Sequence, residues 1–150
     1  VAYFANSYVC VPDDPADSGR LLWGWLAPEA PQDGRRVRWA GEAKESAFVV
    51  AIDAASDLLL QVEAETPVTI ETTLVCNGTA LKPQKIGPGT TECAWEVPKD
   101  HLRRGENIFA FRHGRLWQPA ELADSKDRRR LAVHYRQIAL RPSKLPPEPN

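Results

Sequence analysis

Aromatic and charged side chains that suit the recognition of a sugar ring occur near both ends of this sequence. An indole can stack on the apolar C–H face of a pyranose, and planar guanidinium or carboxylate groups can hydrogen-bond two neighbouring hydroxyls. The candidate set for such a site is Trp25, Glu29, Arg38, Trp39, Trp117, Asp127 and Arg128. Each has a structural alternative, because a tryptophan on a strand also suits a core, and Arg38 could pair with Asp127 to hold a late loop against an early strand.

The stretch RLLWGWLAPE places two of the five tryptophans two positions apart. Residues at i and i+2 of a strand point to the same face, so Trp23 and Trp25 are expected to share a face with Leu21, and that face suits the core. Gly24 leaves the opposite face without a side chain, so another group can approach the backbone there. We therefore do not count Trp23 as a ligand contact, and we place the functional expectation on the loop that follows, at Glu29.

Patterns for catalysis are not found in the sequence. It contains no paired carboxylates in a recognisable catalytic arrangement, no nucleophile–histidine signature and no phosphate-binding glycine pattern. The acidic loop 13–17 offers oxygen ligands for calcium, but a solvated turn is the preferred interpretation. The chain is therefore expected not to be an enzyme, and we assign it no metal and no cofactor.

The three cysteines do not have the spacing of a zinc site. We interpret Cys10, Cys76 and Cys93 as small buried side chains. A disulfide between Cys76 and Cys93 is the alternative, because they lie in neighbouring predicted strands and could pair in an oxidising compartment.

The elements that must position the candidate residues are strands. Apolar and β-branched residues recur with a period of two, and turn residues separate these runs about every 8–12 residues. The predicted strands cover 47–53, 58–65, 68–77, 80–86, 91–97, 107–113 and 131–140, with less regular candidates in YFANSYVCV, RLLWGWL and RVRWAG. This pattern predicts an all-β antiparallel sandwich with at most one or two short helical turns, the best of them at 98–105.

Turn residues add detail to the strand prediction. Asn77-Gly78 favours a tight hairpin turn, although Asn77 also begins a glycosylation sequon. Pro83 cannot donate a backbone hydrogen bond, so its strand is expected at a sheet edge or at a bulge.

The later half of the pattern resembles galactose-binding-like jelly-roll domains. In that family a strand ending in Asn-Gly leads to a short strand, then to a VP…L..G.N element and a further strand. The matching positions here are Asn77, Gly78, Val97, Pro98, Leu102, Gly105 and Asn107. The resemblance implies a jelly roll in which Leu102 packs on the core, Gly105 reverses the chain and Asn107 caps backbone groups.

A second, narrower set of residues is similar to accessory domains of bacterial glycosyltransferases and polysaccharide-assembly proteins. The matching positions are Gly24, Trp25, Pro28, Glu29, Arg38, Trp39, Pro119, Glu121, Leu122, Asp127, Arg128 and Leu131. The three arginines at 128–130 and the additional Trp23 depart from that pattern. This resemblance implies a non-catalytic domain that binds or positions a glycan within a larger carbohydrate-active or polysaccharide-assembly protein. Two alternatives are a structural sandwich that packs against a neighbouring catalytic domain without a ligand, and a hydrolase.

The length and composition of the chain limit its possible domain organisation and its possible partners. The length of 150 residues suits one domain, which we expect at 1–141, followed by a proline-rich tail or linker at 142–150. The sequence contains no methionine, so we expect a domain taken from a longer protein. No apolar run is long enough to cross a bilayer, so direct membrane insertion is not expected.

Charge excludes one class of partner. The formal net charge of −1 gives no case for nucleic-acid binding. The basic runs 34–38 and 126–130 would form a positive patch if folding brought them together, but a solvated face is the preferred interpretation. The expected partners are a glycan or polysaccharide and a neighbouring domain of the parent chain. A compartment is not assigned, with a secreted or extracytoplasmic location preferred.

Overall fold

The computed structural model of the chain describes residues 8–32 and 35–143. In this part of the chain the strands are β1 (Tyr8–Cys10), β2 (Glu29–Gln32), β3 (Arg35–Val37), β4 (Glu45–Ile52), β5 (Leu58–Thr66), β6 (Ile70–Cys76), β7 (Thr79–Ala80), β8 (Gln84–Ile86), β9 (Gly89–Val97), β10 (Gly105–His113) and β11 (His134–Pro142). The helical segments are short. They are 3-10 helices of six residues at Pro15–Arg20 and three residues at Lys99–His101, and the four-residue helix α1 (Pro119–Leu122). The turn predicted within 98–105 is confirmed at Lys99–His101.

Two antiparallel sheets form the sandwich. One sheet has the strand order β1-β11-β5-β9, and the other has the order β4-β10-β6, with β7 and β8 both paired to β6 at its edge. The short β2–β3 pair is separate from both sheets. The predicted all-β antiparallel sandwich is therefore confirmed. The division into a domain and a tail stays a prediction, because residues 144–150 lie outside the described part.

Alternation along the strands builds the core. In β6 the side chains of Ile70, Thr72 and Leu74 are fully buried, whereas Glu71 between them is exposed, as the period of two predicts. Aromatic rings from the two sheets meet in the middle, where Phe111 stacks on Tyr135 with ring centroids 4.3 Å apart. Burial of each large apolar side chain stabilises the fold by about 1.5–3 kcal/mol, so this shared core holds the sheets face to face.

The turn chemistry agrees with the sequence. Asn77 and Gly78 have φ values of 48° and 87°, so a two-residue hairpin turn joins β6 to β7. Asn107 is fully buried and its side chain accepts from the backbone N–H of Arg103 at 2.9 Å and donates to the Arg103 carbonyl at 2.8 Å. Gly105 has a φ of 100°, which reverses the chain before β10. The expected capping and reversing roles are confirmed. Pro83 lies between β7 and β8, which both pair with β6 at the edge of its sheet, so of the two alternatives the edge position is confirmed.

The prediction that RLLWGWL forms a strand is wrong. Only isolated bridges occur there, from Leu21 to Phe48 and from Trp25 to Ala40. Gly24 has a φ of 83° and lies so close to β4 that a Cβ on it would be 1.9 Å from the Glu45 carbonyl oxygen. This left-handed residue breaks the alternation of a strand. Trp25 therefore turns inward, while Trp23 is 48% exposed instead of sharing the core face.

All three cysteines are free thiols. Cys76 lies on β6 and Cys93 lies on β9, which belong to different sheets, so the alternative of a disulfide between them is not realised. Cys76 is buried, as expected, and Cys93 is partly exposed. Burial raises the pKa of each of these thiols to about 11. No helix in residues 8–32 and 35–143 is long and apolar enough to cross a membrane.

Candidate functional site

The structure brings some of the candidate residues together and keeps others apart. Glu29 and Asp127 share Arg129 as a partner, and Trp39 contacts Trp117. Arg38 bonds to the early loop instead, and Trp25 bonds to Ala47. Glu29 begins β2 and faces Val37 in β3, and the loop between α1 and β11 lies against this hairpin through Arg129. The same loop is anchored by a bridge between Trp117 and Leu131. We call this region the loop end, defined by the β2–β3 pair, residues 38–41 and residues 117–134.

Arg129 is the centre of the ionic network at the loop end. Its guanidinium donates to Asp127 Oδ2 at 2.7 Å and also to a carboxylate oxygen of Glu29. Asp127 Oδ1 accepts a further bond from the backbone N–H of Arg129 at 3.0 Å. The three side chains are 30–40% exposed, so the network is in contact with solvent. It links the β2–β3 pair to the late loop.

The electrostatics keep this network charged. Hydrogen bonds from Arg129 lower the pKa of Asp127 below its ordinary value, and the bonds to Asp127 and Glu29 raise the pKa of Arg129. A partly exposed guanidinium between two carboxylates thus presents acceptors and donors close together, which is the arrangement that hydroxyl groups can bind.

Arg38 is committed to the protein itself. Its guanidinium donates to the carbonyl oxygens of Pro12 at 3.1 Å and Leu26 at 3.0 Å and to the Ser18 hydroxyl at 3.2 Å. The alternative of an Arg38–Asp127 ion pair is therefore wrong. Arg129 makes the corresponding link between an early strand and the late loop. Arg38 instead holds the early loop in place.

Arg128 differs from both of these arginines. Its side chain is exposed, and its backbone carbonyl accepts from the Gln118 amide at 2.7 Å. Arg130 pairs with Glu42 at 3.8 Å. Part of the run 34–38 lies outside the described residues, so the hypothesis of a joint positive patch stays a prediction.

The tryptophans of the candidate set differ in exposure. Trp39 and Trp117 pack edge to face with ring centroids 5.4 Å apart. Trp117 is only 6% exposed, and its indole N–H donates to the Ala132 carbonyl at 2.9 Å. Trp39 is partly exposed, and so is Trp25, whose N–H donates to the Ala47 carbonyl at 2.7 Å. Trp117 is therefore the buried member of this pair, and Trp39 is the partly exposed one.

A buried histidine supports the loop end. His134 is 6% exposed and lies between two carboxylates, with Nε2 2.7 Å from Asp13 Oδ2 and Nδ1 2.8 Å from Glu65 Oε1. Burial by itself lowers the pKa of His134, but the hydrogen bonds to Asp13 and Glu65 outweigh it and raise the pKa. Both ring nitrogens then donate, so this imidazolium ties the early loop to β5 and β11. Its ring also packs 5.6 Å from Trp39.

Asp13 therefore has structural partners, since its carboxylate bonds to His134 and also accepts from the Arg38 backbone N–H at 2.7 Å. In residues 8–32 and 35–143, no group of three or more histidine, cysteine or acidic side chains is arranged to hold a metal ion. The sequence interpretation overlooked both Arg129 and His134. The pair of Arg129 with Glu29 and the pairs of His134 with Asp13 and Glu65 have no local signal, because these partners are distant in the chain.

A second surface lies on the β11–β5–β9 sheet. A trough of about 470 Å³ is lined mainly by polar and small side chains: Gln61, Glu63, Glu92, Ala94, Gln137 and Ala139. The described lining has no aromatic ring, so this trough lacks a stacking surface for a sugar. The loop end combines aromatic and charged groups and is the better candidate.

No protein-family model and no curated protein matches the chain. Several solved structures match it. A GH26-CBM35 beta-(1,4)-mannanase from Podospora anserina has a TM-score of 0.60 at 16% identity, over 95% of this chain and 29% of that chain. A family 35 carbohydrate binding module from Clostridium thermocellum has a TM-score of 0.55 at 10% identity, over 93% and 100% of the two chains. The CBM35 from Paenibacillus barcinonensis has a TM-score of 0.54 at 14% identity, over 93% and 100%.

These likenesses concern the fold. The chain has the jelly-roll sandwich that carbohydrate-binding modules have, which confirms the predicted architecture. This chain spans about 29% of the length of the mannanase that it matches.

Proposed function

We propose that this chain is a non-catalytic carbohydrate-binding domain that holds a glycan at the loop end, for a larger carbohydrate-active or polysaccharide-assembly protein. The observation that carries the proposal is the combination of the partly exposed Trp39 with the solvent-facing Glu29–Arg129–Asp127 network. The fold likeness to carbohydrate-binding modules supports it. So do the resemblances to galactose-binding-like domains and glycosyltransferase accessory domains.

The candidate residues have different parts in this proposal. The exposed part of the Trp39 ring packs on the C–H face of a sugar, and the carboxylates of Glu29 and Asp127 accept from its hydroxyls. Arg128, whose side chain is exposed, donates to the next ring of the glycan. Trp25, Trp117 and Arg38 support the site from below, because their polar groups already bond to the protein.

The lowered pKa of Asp127 suits it as a hydrogen-bond acceptor for hydroxyls and not as the general acid of a glycosidase. A glycosidase needs a carboxylic acid whose pKa is raised so that it can protonate the leaving group. Arg129 lowers the pKa of Asp127 instead. A carboxylate that stays ionised is a good hydrogen-bond acceptor for hydroxyls and a poor proton donor.

One observation favours a second function, that of a structural domain packed against a catalytic neighbour. Several groups at the loop end are satisfied internally, above all the guanidinium of Arg38. A rigid, self-satisfied loop end suits the packing of one domain on another. The likeness to one part of a longer mannanase chain is compatible with that function.

Calorimetric titration with soluble β-1,4-mannan, β-1,4-xylan and laminarin tests the binding function. We expect one of these polysaccharides to bind and Trp39→Ala to weaken it about ten-fold, because the stacking surface is lost. Trp39→Phe should retain part of the affinity. Glu29→Gln should also weaken binding, whereas the matched variant Glu106→Gln, on an exposed position of β10, should not.

Two results would contradict this function. If the wild-type chain binds none of the polysaccharides, the structural alternative is favoured. If the chain releases reducing ends from one of them, it is a hydrolase.

A further inference from the structure

Trp23 forms one wall of a pocket on the outer face of the sheet that contains β4, β10 and β6. The pocket has a volume of about 410 Å³, within the range of small-molecule sites. The lining that matters here is Trp23, Glu45, Val75, Arg103, Ile108 and Arg112. None of these residues belongs to the loop end.

The indole of Trp23 is exposed and yet held in one orientation. Its N–H donates to Glu45 Oε2 at 3.0 Å, and the other oxygen of Glu45 accepts from Arg112 at 3.3 Å. The backbone carbonyl of Trp23 accepts from the Ala47 N–H at 2.8 Å, which fixes the main chain to β4. With 48% of its surface exposed, Trp23 is a pre-organised aromatic platform. When a ligand stacks on this ring, the protein therefore loses little further conformational entropy.

The floor beside the platform is apolar and shallow. Ala47, Val75 and Ala110 form a small buried cluster separate from the main core, and Ile108 next to them is 37% exposed. These side chains point outward from the sheet, where solvated polar residues are the usual choice. The small side chains leave space above them, and the indole closes one side. An apolar C–H face therefore fits against this floor and wall.

Guanidinium groups stand at the rim of the pocket. Arg103 uses only its Nε, which donates to the Glu106 carbonyl at 3.0 Å, and Arg112 uses only one terminal nitrogen, toward Glu45. The other N–H groups of both side chains have no hydrogen-bond partner among the described residues. Asn77 also lines the pocket, but its amide is already used. It donates to the His101 carbonyl at 2.8 Å and to Asn107 Oδ1 at 2.9 Å, and it accepts from the Ile108 N–H at 2.9 Å.

We propose that this pocket is a second carbohydrate site, which takes one neutral pyranose ring of a glycan. The ring stacks its C–H face on Trp23 over the apolar floor, and two neighbouring hydroxyls accept hydrogen bonds from Arg103 or Arg112. Concave shape, a fixed aromatic wall and free paired donors at the rim favour a sugar over a protein partner, which needs a broader surface. The inference rests on the proposed function for the class of ligand, but on none of its residues.

The test follows the indole N–H resonances of the folded chain by ¹H–¹⁵N correlation spectra. β-1,4-mannohexaose, β-1,4-xylohexaose and laminarihexaose serve as probes, and Trp23→Phe assigns the Trp23 resonance by its disappearance. We expect a saturable shift of the Trp23 resonance with at least one probe. Trp23→Ala should weaken binding at this site about ten-fold or more, measured from backbone resonances of β6 and β10, while the Trp39 response persists.

Neighbouring arginines provide a matched control. Arg103→Ala should weaken the Trp23-site affinity several-fold because a paired donor is lost. Arg104→Ala should leave it unchanged, because the side chain of Arg104 is 79% exposed and reaches toward Asp53 instead.

The possible outcomes separate this inference from the proposed function. If the Trp39 resonance responds to a probe and Trp23 does not, the second site is refuted and the loop-end function stands. If neither responds, both fail. If Trp23 responds to no probe but becomes protected when a neighbouring domain of the parent protein is joined, the pocket is a packing surface and the sugar site is refuted.

Discussion

His113 makes the stability of this fold sensitive to acid. It lies at the end of β10 and is 1% exposed, with Nδ1 3.1 Å from the Lys44 carbonyl oxygen and Nε2 2.8 Å from the Tyr135 hydroxyl. The carbonyl can only accept, so Nδ1 carries the proton and Nε2 accepts from Tyr135. Both nitrogens of the neutral ring are then satisfied. A second proton on the ring would have to point at a hydroxyl that already donates to it.

The pKa of His113 gives the size of the effect. Burial lowers this pKa to about 4, although the bond to the Lys44 carbonyl partly opposes the shift. The ordinary value is about 6.5, so between these pH values the unfolded chain takes up a proton that the folded chain does not. The free energy of unfolding therefore decreases as pH falls. The contribution of His113 to this loss is about 1 kcal/mol at pH 5.5 and about 3 kcal/mol at pH 4.

The variant His113→Gln isolates this contribution. Its amide can accept from Tyr135 and donate to the Lys44 carbonyl, but it does not titrate. Urea unfolding followed by tryptophan fluorescence at pH 7.5 and pH 5.5 gives the free energy of unfolding of both proteins. All other titrating groups are common to both proteins. The difference in their free energies of unfolding should therefore shift by about 1 kcal/mol in favour of the variant at the lower pH.

A difference that does not change between the two pH values would refute this reasoning. So would an NMR titration in which the imidazole of His113 in the folded chain takes up its proton near pH 6.5.

Two further predictions concern residues that connect distant parts of the chain. The raised pKa of His134 means that its stabilising contribution is complete below about pH 6.5 and is lost as pH rises through the raised value. His134→Gln should therefore cost more stability at pH 6 than at pH 9 in urea unfolding, and an equal cost at both would contradict the charged pairing with Asp13. Gly24→Ala should destabilise the fold by at least about 2 kcal/mol, from its left-handed φ and the contact with the Glu45 carbonyl. Gly19→Ala, with no atom within 4 Å of the added Cβ, should change stability by less than about 0.5 kcal/mol, and similar melting temperatures for both variants would contradict the argument.

Local physics made much of the fold predictable. The alternation through Ile70, Thr72 and Leu74 is a property of the strand itself, since successive side chains must point to opposite faces. The Asn77-Gly78 hairpin is local too, because these residues tolerate a positive φ. The β2 strand was not predicted. Its short sequence EAPQ contains a proline and has no alternating pattern.

The sequence predicted which loops contain the candidate site. It did not predict which residues contact one another there. The residue types pointed to the early and late loops, and folding does bring Glu29 close to the loop that contains Asp127. Three consecutive arginines at 128–130 look equivalent in sequence, yet only Arg129 reaches Glu29, which is 100 positions away in the chain. Spacing along one loop cannot tell which of three neighbours meets a partner from another strand.

The two tryptophans of RLLWGWLAPE show most clearly where sequence determines this protein and where it does not. The sequence by itself determined an all-β sandwich, because a period of two and local turn residues act over a few positions. It also indicated that Trp25 is supported by the core. Only the tertiary structure decided that Trp23 faces solvent, since the left-handed turn at Gly24 follows from the backbone of β4 pressing against it. A contact between segments some twenty positions apart overrides the local pattern there, and it exposes the aromatic wall of the second pocket.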